Sequence, residues 1–153
     1  MPTFRTVRRV PFTPQQMFDV VADVEKYPQF LPLCEALTVT ERTLTPEGLT
    51  ILTATMVVGY RAITEQFTTQ VTLDPADFLI RVRHRDGPFT HLENEWRFVS
   101  APGGSDVQFF IDYAFRSTML QVIVGAAFDK AVRSYTEAFE ARARGLYGPG
   151  VTA

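Results

Sequence analysis

A change of period governs this sequence. From about residue 33 to residue 115, apolar side chains recur at every second position between short turn clusters. From residue 117 to 144 they recur at every third or fourth. The first pattern belongs to half-buried strands and the second to one face of a helix. Val124, Phe128, Ala131, Tyr135 and Ala138 form that face, which carries small residues and rings in place of a row of leucines. One helix of this kind does not plug the whole concave side of a large antiparallel sheet. The pattern predicts a sheet gripping a helix with apolar room between them, and such room suits an oily ligand.

The remaining punctuation fixes the order of elements. A strand over 4–10 ends at Pro11. A helix then opens with Thr13 as N-cap, Pro14 in its first turn and Gln16 at the capping-box position, and buries Met17, Phe18, Val20 and Val21. Asp23 is expected to cap a second short helical turn that stops before Pro28. Tyr27, Phe30, Leu31 and Leu33 then lie in an apolar loop between Pro28 and Pro32. Six strands follow, separated by turn residues. The first carries Leu37, Val39 and Glu41 on one side, and the next two (50–58 and 61–73) hinge at Gly59-Tyr60. The others run over 78–84, 91–99 and 107–115. A single helix from Thr118 to about Arg144 closes the chain, ended by Gly145, Gly148, Pro149 and Gly150. Strand, two short helices, six strands and a long helix make an α+β helix-grip fold: a curved seven-stranded antiparallel sheet around the C-terminal helix. Residues 1–148 are read as one domain and 149–153 as a flexible tail.

Composition narrows the function. A net charge of −2 excludes a general polyanion binder, and no DNA partner is expected. A lone cysteine, Cys34, excludes an internal disulfide and fits a reducing compartment. The longest oily run, 119–128, contains Gln121 and is too short to span a bilayer. These features place the chain in the cytoplasm, with peripheral contact to the inner membrane left open. His84 and His91 have no metal-ligand spacing with Cys34, and the glycines read as turns and not as a phosphate loop. No metal, cofactor or catalytic constellation is expected. Two alternatives stay open: Glu65 as the general base of a cyclase-like enzyme, and a docking stripe of Arg81, Arg83, Arg85 and Arg97, with Arg8 and Arg9 nearby, for lipid headgroups or ribosomal RNA. The same arginines also fit a solvated outer face paired with Glu93 and Glu95.

Strand alternation defines the candidate site. Phe67, Thr69 and Val71 share one side of their strand with Ile63, Glu65 and Leu73. Phe78 and Ile80 belong to the next strand with Val82, and Asn94 and Trp96 to the one after with Leu92 and Phe98. Phe109, Ile111 and Tyr113 alternate with outward residues on the last strand. The helix adds Val124, Phe128, Ala131 and Tyr135. Thirteen phenylalanines against one tryptophan supply the rings for such a lining or for a thick core. Thr69, Asn94, Tyr113 and Tyr135 are the candidate hydrogen-bond partners for a polar head group. Residues 119–124 are apolar nearly all round, so part of that helix either packs under the 27–33 loop or forms an oily lip.

Residues 10–34, VPFTPQQMFDVVADVEKYPQFLPLC, resemble the opening motif of the coenzyme Q-binding START-like family, whose bacterial members are also described as ribosome-association toxins. Three later pieces agree in order: VGY at 58–60 with EQFTT at 65–69, GPFTHL at 87–92 leading into WRF at 96–98, and FEARA at 139–143 with LYG at 146–148. Leu33 stands where many members carry tryptophan. The resemblance implies a START/Bet v 1-like tunnel for ubiquinone or a related isoprenoid lipid, held by a non-enzymatic chaperone of respiratory electron transfer. It also implies, as the alternative, binding to the large ribosomal subunit that blocks subunit joining.

Overall fold

The computed structural model describes residues 3–150, so residues 151–153 of the expected tail lie outside them. Seven antiparallel strands pair in the order β1-β7-β6-β5-β4-β3-β2. They are β1 (Thr3–Val10), β2 (Cys34–Leu44), β3 (Thr50–Tyr60), β4 (Ile63–Asp74), β5 (Leu79–Asp86), β6 (Phe89–Ala101) and β7 (Gly104–Phe115). Every neighbour except β1–β7 is consecutive in sequence, because short turns permit only antiparallel partners. β1 instead returns along β7, from Thr3 opposite Asp112 to Val10 opposite Ser105.

Helix α1 (Pro14–Ala22) begins with the capping box that its sequence announces: Gln16 N–H donates to Thr13 Oγ1 at 3.1 Å, and Thr13 N–H to Gln16 Oε1 at 2.9 Å. Its buried face is Met17, Phe18, Val20 and Val21. The next turn differs from expectation. It is a 3-10 helix, Val24–Gln29, that runs through Pro28, and Asp23 makes no side-chain cap. So short a segment needs few donors, and the Phe30 and Leu31 N–H groups both close on the Tyr27 carbonyl, at 3.1 and 2.8 Å.

Three strand details also differ. A register shift between Val39 and Glu41 sets Glu41 opposite Thr53, so it leaves the face of Leu37 and Val39 and is exposed. The β3–β4 hairpin does not hinge at Gly59-Tyr60. Tyr60 pairs with Ile63, and Arg61 takes the left-handed conformation (φ 56°) in the turn itself. Phe78 is likewise left-handed (φ 49°), which places it in the turn before β5.

The closing helix is two helices, α2 (Thr118–Arg133) and α3 (Tyr135–Tyr147). Ser134 separates them with φ −98° and ψ 0°, and both its N–H (3.0 Å) and its hydroxyl (2.8 Å) bond the Ala131 carbonyl. A serine that bonds back to the preceding turn competes with helix continuation, which explains the break. Among the described residues no helix is long and apolar enough to cross a membrane. The helices pack mainly on β5–β7 and on each other, and the 3-10 segment packs on β2. α3 is fastened to β1 by Glu140, which accepts from Arg8 Nε at 2.6 Å and from Arg144 at 3.0 Å. That distribution leaves the concave side of β3 and β4 thinly covered.

Candidate functional site

A hollow of about 80 Å³ lies over the thinly covered part of the sheet and is partly open to the exterior. Its floor is Ala54 and Met56 of β3, Phe67, Thr69 and Val71 of β4, Val82 of β5, Leu92, Asn94 and Trp96 of β6, and Ile111 of β7. Leu37 of β2 closes one edge. Val24, Tyr27 and Leu31 from the 3-10 region and Phe128, Tyr135 and Phe139 from the helices form the roof. The volume exceeds severalfold the ~10–15 Å³ that one water occupies, but a wall this apolar offers water few partners. It falls short of the ~300–1,000 Å³ common for small-molecule sites, so a long ligand needs side chains to move. The expectation of a ready-made long tunnel is therefore too generous for this closed form.

The few polar groups of the lining divide into used and unused. Asn94 Nδ2 donates to the Phe110 carbonyl at 2.8 Å, and Asn94 Oδ1 accepts from Trp96 Nε1 at 3.0 Å, so this amide braces the Trp96 ring. The Tyr27 hydroxyl donates to the Val21 carbonyl. For the hydroxyls of Thr69 and Tyr135, by contrast, no hydrogen bond is found among the described residues, and both residues line the hollow. Burial pushes the Tyr135 phenol well above its ordinary pKa, with Cys34 and Tyr113 adding to the effect, so it stays protonated as a donor. Burial also raises the Cys34 thiol, to about 11 despite its contact with the Ala36 carbonyl. A thiol held protonated in this way is not a nucleophile.

Of the residues singled out from alternation, Phe67, Thr69, Val71, Asn94, Trp96, Ile111, Phe128 and Tyr135 meet in this hollow. Ile80 and Phe109 are fully buried in the core instead. Phe109 sits 4.5 Å from Trp96 between ring centroids, and Phe78 packs edge-on against Phe18. Tyr113 is buried among Phe89, Phe115 and Phe128, its hydroxyl has no partner among the described residues, and burial raises its pKa to about 12. Ile80, Phe109 and Tyr113 lie where β5–β7 are covered by helices, and Phe78 lies in the turn before β5, so none of the four reaches the hollow. Val82 and Leu92 were on the inward face but not among the candidates. Leu37, Ala54 and Met56 come from the same alternation on β2 and β3, and Phe139 comes from α3, beyond the break at Ser134.

A second hollow, about 30 Å³, adjoins the first beneath α2. Leu33, Val58, Tyr60, Ile63, Phe89, Phe115, Val124 and Phe128 are among its walls, and Glu65 contributes the one carboxylate. Tyr60 is the other titratable side chain of that lining, and no hydrogen bond joins it to Glu65 among the described residues. Ala131 lies outside both hollows, in a surface groove with Pro32, Leu33, Tyr60, Ala127 and Lys130. Met119, Val122 and Ile123 are exposed at 68, 76 and 44%, which makes the α2 start an oily lip. On the outer face Arg81 and Arg97 share Glu95 at 3.5 and 3.7 Å, Arg9 pairs with Asp106, and Arg85 donates to Gln70. Most of the arginine stripe is thus paired, as a solvated face would be. His91 meets Asp112 on the same face, while burial and Arg116 lower the pKa of His84. No group of residues with metal-holding geometry occurs among the described residues.

Residues 10–140 match the polyketide cyclase/dehydrase and lipid transport family. The chain belongs to that family. Within it, a ribosome association toxin RatA of Rickettsia prowazekii is 29% identical over 94% of this chain and 97% of its own length. The mitochondrial coenzyme Q-binding protein COQ10 homolog B of Xenopus laevis is 30% identical over 90% of this chain, which spans 56% of the frog protein. A START superfamily protein of Mycobacterium smegmatis superposes with TM-score 0.76 at 20% identity, covering 94% of this chain and 98% of its own, and shows the same fold. The stretches that resemble the coenzyme Q-binding START-like group fall around the hollow: Tyr27 and Leu31 from the first, Phe67 and Thr69 from the second, Leu92 and Trp96 from the third, Phe139 from the last.

Proposed function

We propose that this chain is a non-enzymatic carrier for ubiquinone or a related polyprenyl lipid, with the head group inside the main hollow. The observation that carries the reading is an apolar chamber lined by two hydroxyls, of Thr69 and Tyr135, that have no hydrogen bond among the described residues and can both donate. A quinone presents carbonyl and methoxy acceptors and no donors, so it matches that inventory, and each isoprenoid methylene buried adds up to about 0.8 kcal/mol. The name of the frog relative points to the same ligand. The exposed lip of Met119, Val122 and Ile123 suits transient contact with a membrane from which such a lipid is collected. Trp96, the sole tryptophan, lines the chamber and provides the test. Titration with a short-chain ubiquinone should quench its fluorescence saturably at micromolar concentration. Quenching that stays linear, as for a collision with free indole, refutes the reading.

The ribosome-association relatives favour a second reading, in which the outer face of the sheet docks on the large ribosomal subunit. Arg83 has no carboxylate partner among the described residues, and Arg85 meets only Gln70, so these two members of the stripe are available for phosphates. Under this reading Arg83→Glu with Arg85→Glu abolishes salt-sensitive cosedimentation with ribosomes. Cosedimentation that is absent in the unaltered protein, or indifferent to the double substitution, removes it.

A further inference from the structure

Among the described residues, Phe128 is the one side chain that lines both hollows. Its ring stands 5.6 Å from Phe89, 5.6 Å from Phe115 and 4.9 Å from Tyr113, and Phe89 in turn meets Phe67 of the main chamber at 5.2 Å. The second chamber shares Leu33 and Tyr60 with the surface groove beside α2. Phe128 is therefore the partition between the main chamber and the second, and Leu33 with Tyr60 is the partition between the second chamber and the groove. Leu33 holds a left-handed backbone (φ 67°), a strained choice for a branched residue and one that often marks a working position. The chambers also differ in charge: the inner one offers the hydroxyls of Thr69 and Tyr135 and no ionic group, and the outer one is lined by the carboxylate of Glu65 beside Tyr60.

We propose that the two chambers are halves of one channel closed by the Phe128 ring, with the acceptor-rich head group in the inner half and the tail threaded past Phe128 towards the groove. Phe128 is then the residue that sets which tail lengths are accepted. This rests on the carrier reading above. Neither half alone is large enough for a head group and several isoprene units, and the carboxylate of Glu65 repels a quinone carbonyl, so the opposite orientation is disfavoured. The ring can swing because α2 is lightly held. Only Gly125, Phe128, Ala131 and Val132 of its sixteen residues are buried, and Ser134 interrupts the helix six residues later. A closed door lowers apparent affinity by the fraction of time it is open, and only for ligands that need it open.

The test is a tail-length series of ubiquinones carrying one, two and four isoprene units, followed by Trp96 quenching in the unaltered protein, Phe128→Ala, Phe128→Leu and Val124→Phe. Removing the ring should raise the affinity ratio of the four-unit to the one-unit quinone at least tenfold, with the leucine variant, which is the gentler one for folding, moving in the same direction. Val124→Phe, which fills the outer half without adding a second indole, should lower that ratio below its unaltered value. If all three variants change every quinone by the same factor, the channel is wrong while the carrier reading stands. If the unaltered protein binds no quinone of any length, the carrier reading falls and this proposal falls with it.

Discussion

Ala54 offers the sharpest test of whether the main hollow is empty. It lies on β3 at 3% exposure with its side chain in the lining, so a larger residue there grows into the chamber. Ala54→Ile adds three carbons. At about 0.8 kcal/mol for each buried carbon, less roughly 0.5–1 kcal/mol of lost rotamer freedom, the change should stabilise the fold by about 1.5 kcal/mol. Isoleucine also suits a strand better than alanine does. In a filled core the same substitution would overpack and cost about 1–3 kcal/mol, so the sign alone decides. Urea unfolding is the assay. With a slope near 2 kcal/mol per molar for a small domain, the midpoint should rise by about 0.7 M, and quinone quenching of Trp96 should weaken as the chamber fills. A midpoint that falls by half a molar or more refutes the hollow.

Other consequences follow from single contacts. Thr69→Val with Tyr135→Phe removes both of these donors and should weaken quinone binding about five- to 150-fold, at about 0.5–1.5 kcal/mol for each hydrogen bond, as read by the same titration. The double variant should leave binding of a saturated hydrocarbon probe nearly unchanged. Glu140→Gln should cost about 2 kcal/mol at neutral pH, since its carboxylate accepts from both Arg8 and Arg144 at a 12% exposed side chain. Burial works against the charged form there, yet the two arginines hold the Glu140 pKa below the ordinary carboxylate range. The stabilisation is therefore complete above the unfolded value near 4.3 and fades as pH falls through the lower folded value, so the gap between the two proteins should close in acid unfolding scans. Thr13→Ala should cost about 1 kcal/mol by thermal unfolding, because it leaves the Gln16 N–H of the capping box without its acceptor.

The order of elements was legible because period and punctuation agree along most of this chain. Thr13, Pro14 and Gln16 announce one helix start without help from tertiary structure, and the capping box forms as written. Alternation likewise placed Phe67, Thr69, Val71, Asn94, Trp96 and Ile111 on the inward face. What alternation does not contain is coverage. Ile80, Phe109 and Tyr113 face the same way and are buried by α1, α2, α3 and β1, whose packing depends on residues far apart in sequence. The break at Ser134 was hidden for a related reason. Serine in a helical run is unremarkable until its hydroxyl turns back to the Ala131 carbonyl. Glu41 was misplaced because a bulge leaves no mark in the two-residue period before it occurs.

The central claim is that the space between sheet and helices is occupied by lipid in the working protein. Mass spectrometry of an organic extract from chain purified without detergent addresses it most directly. A polyprenyl quinone approaching one molecule per chain, and lost on Ala54→Ile, is the expected result. An extract free of lipid, from a protein that also takes up no quinone from vesicles, would contradict the account.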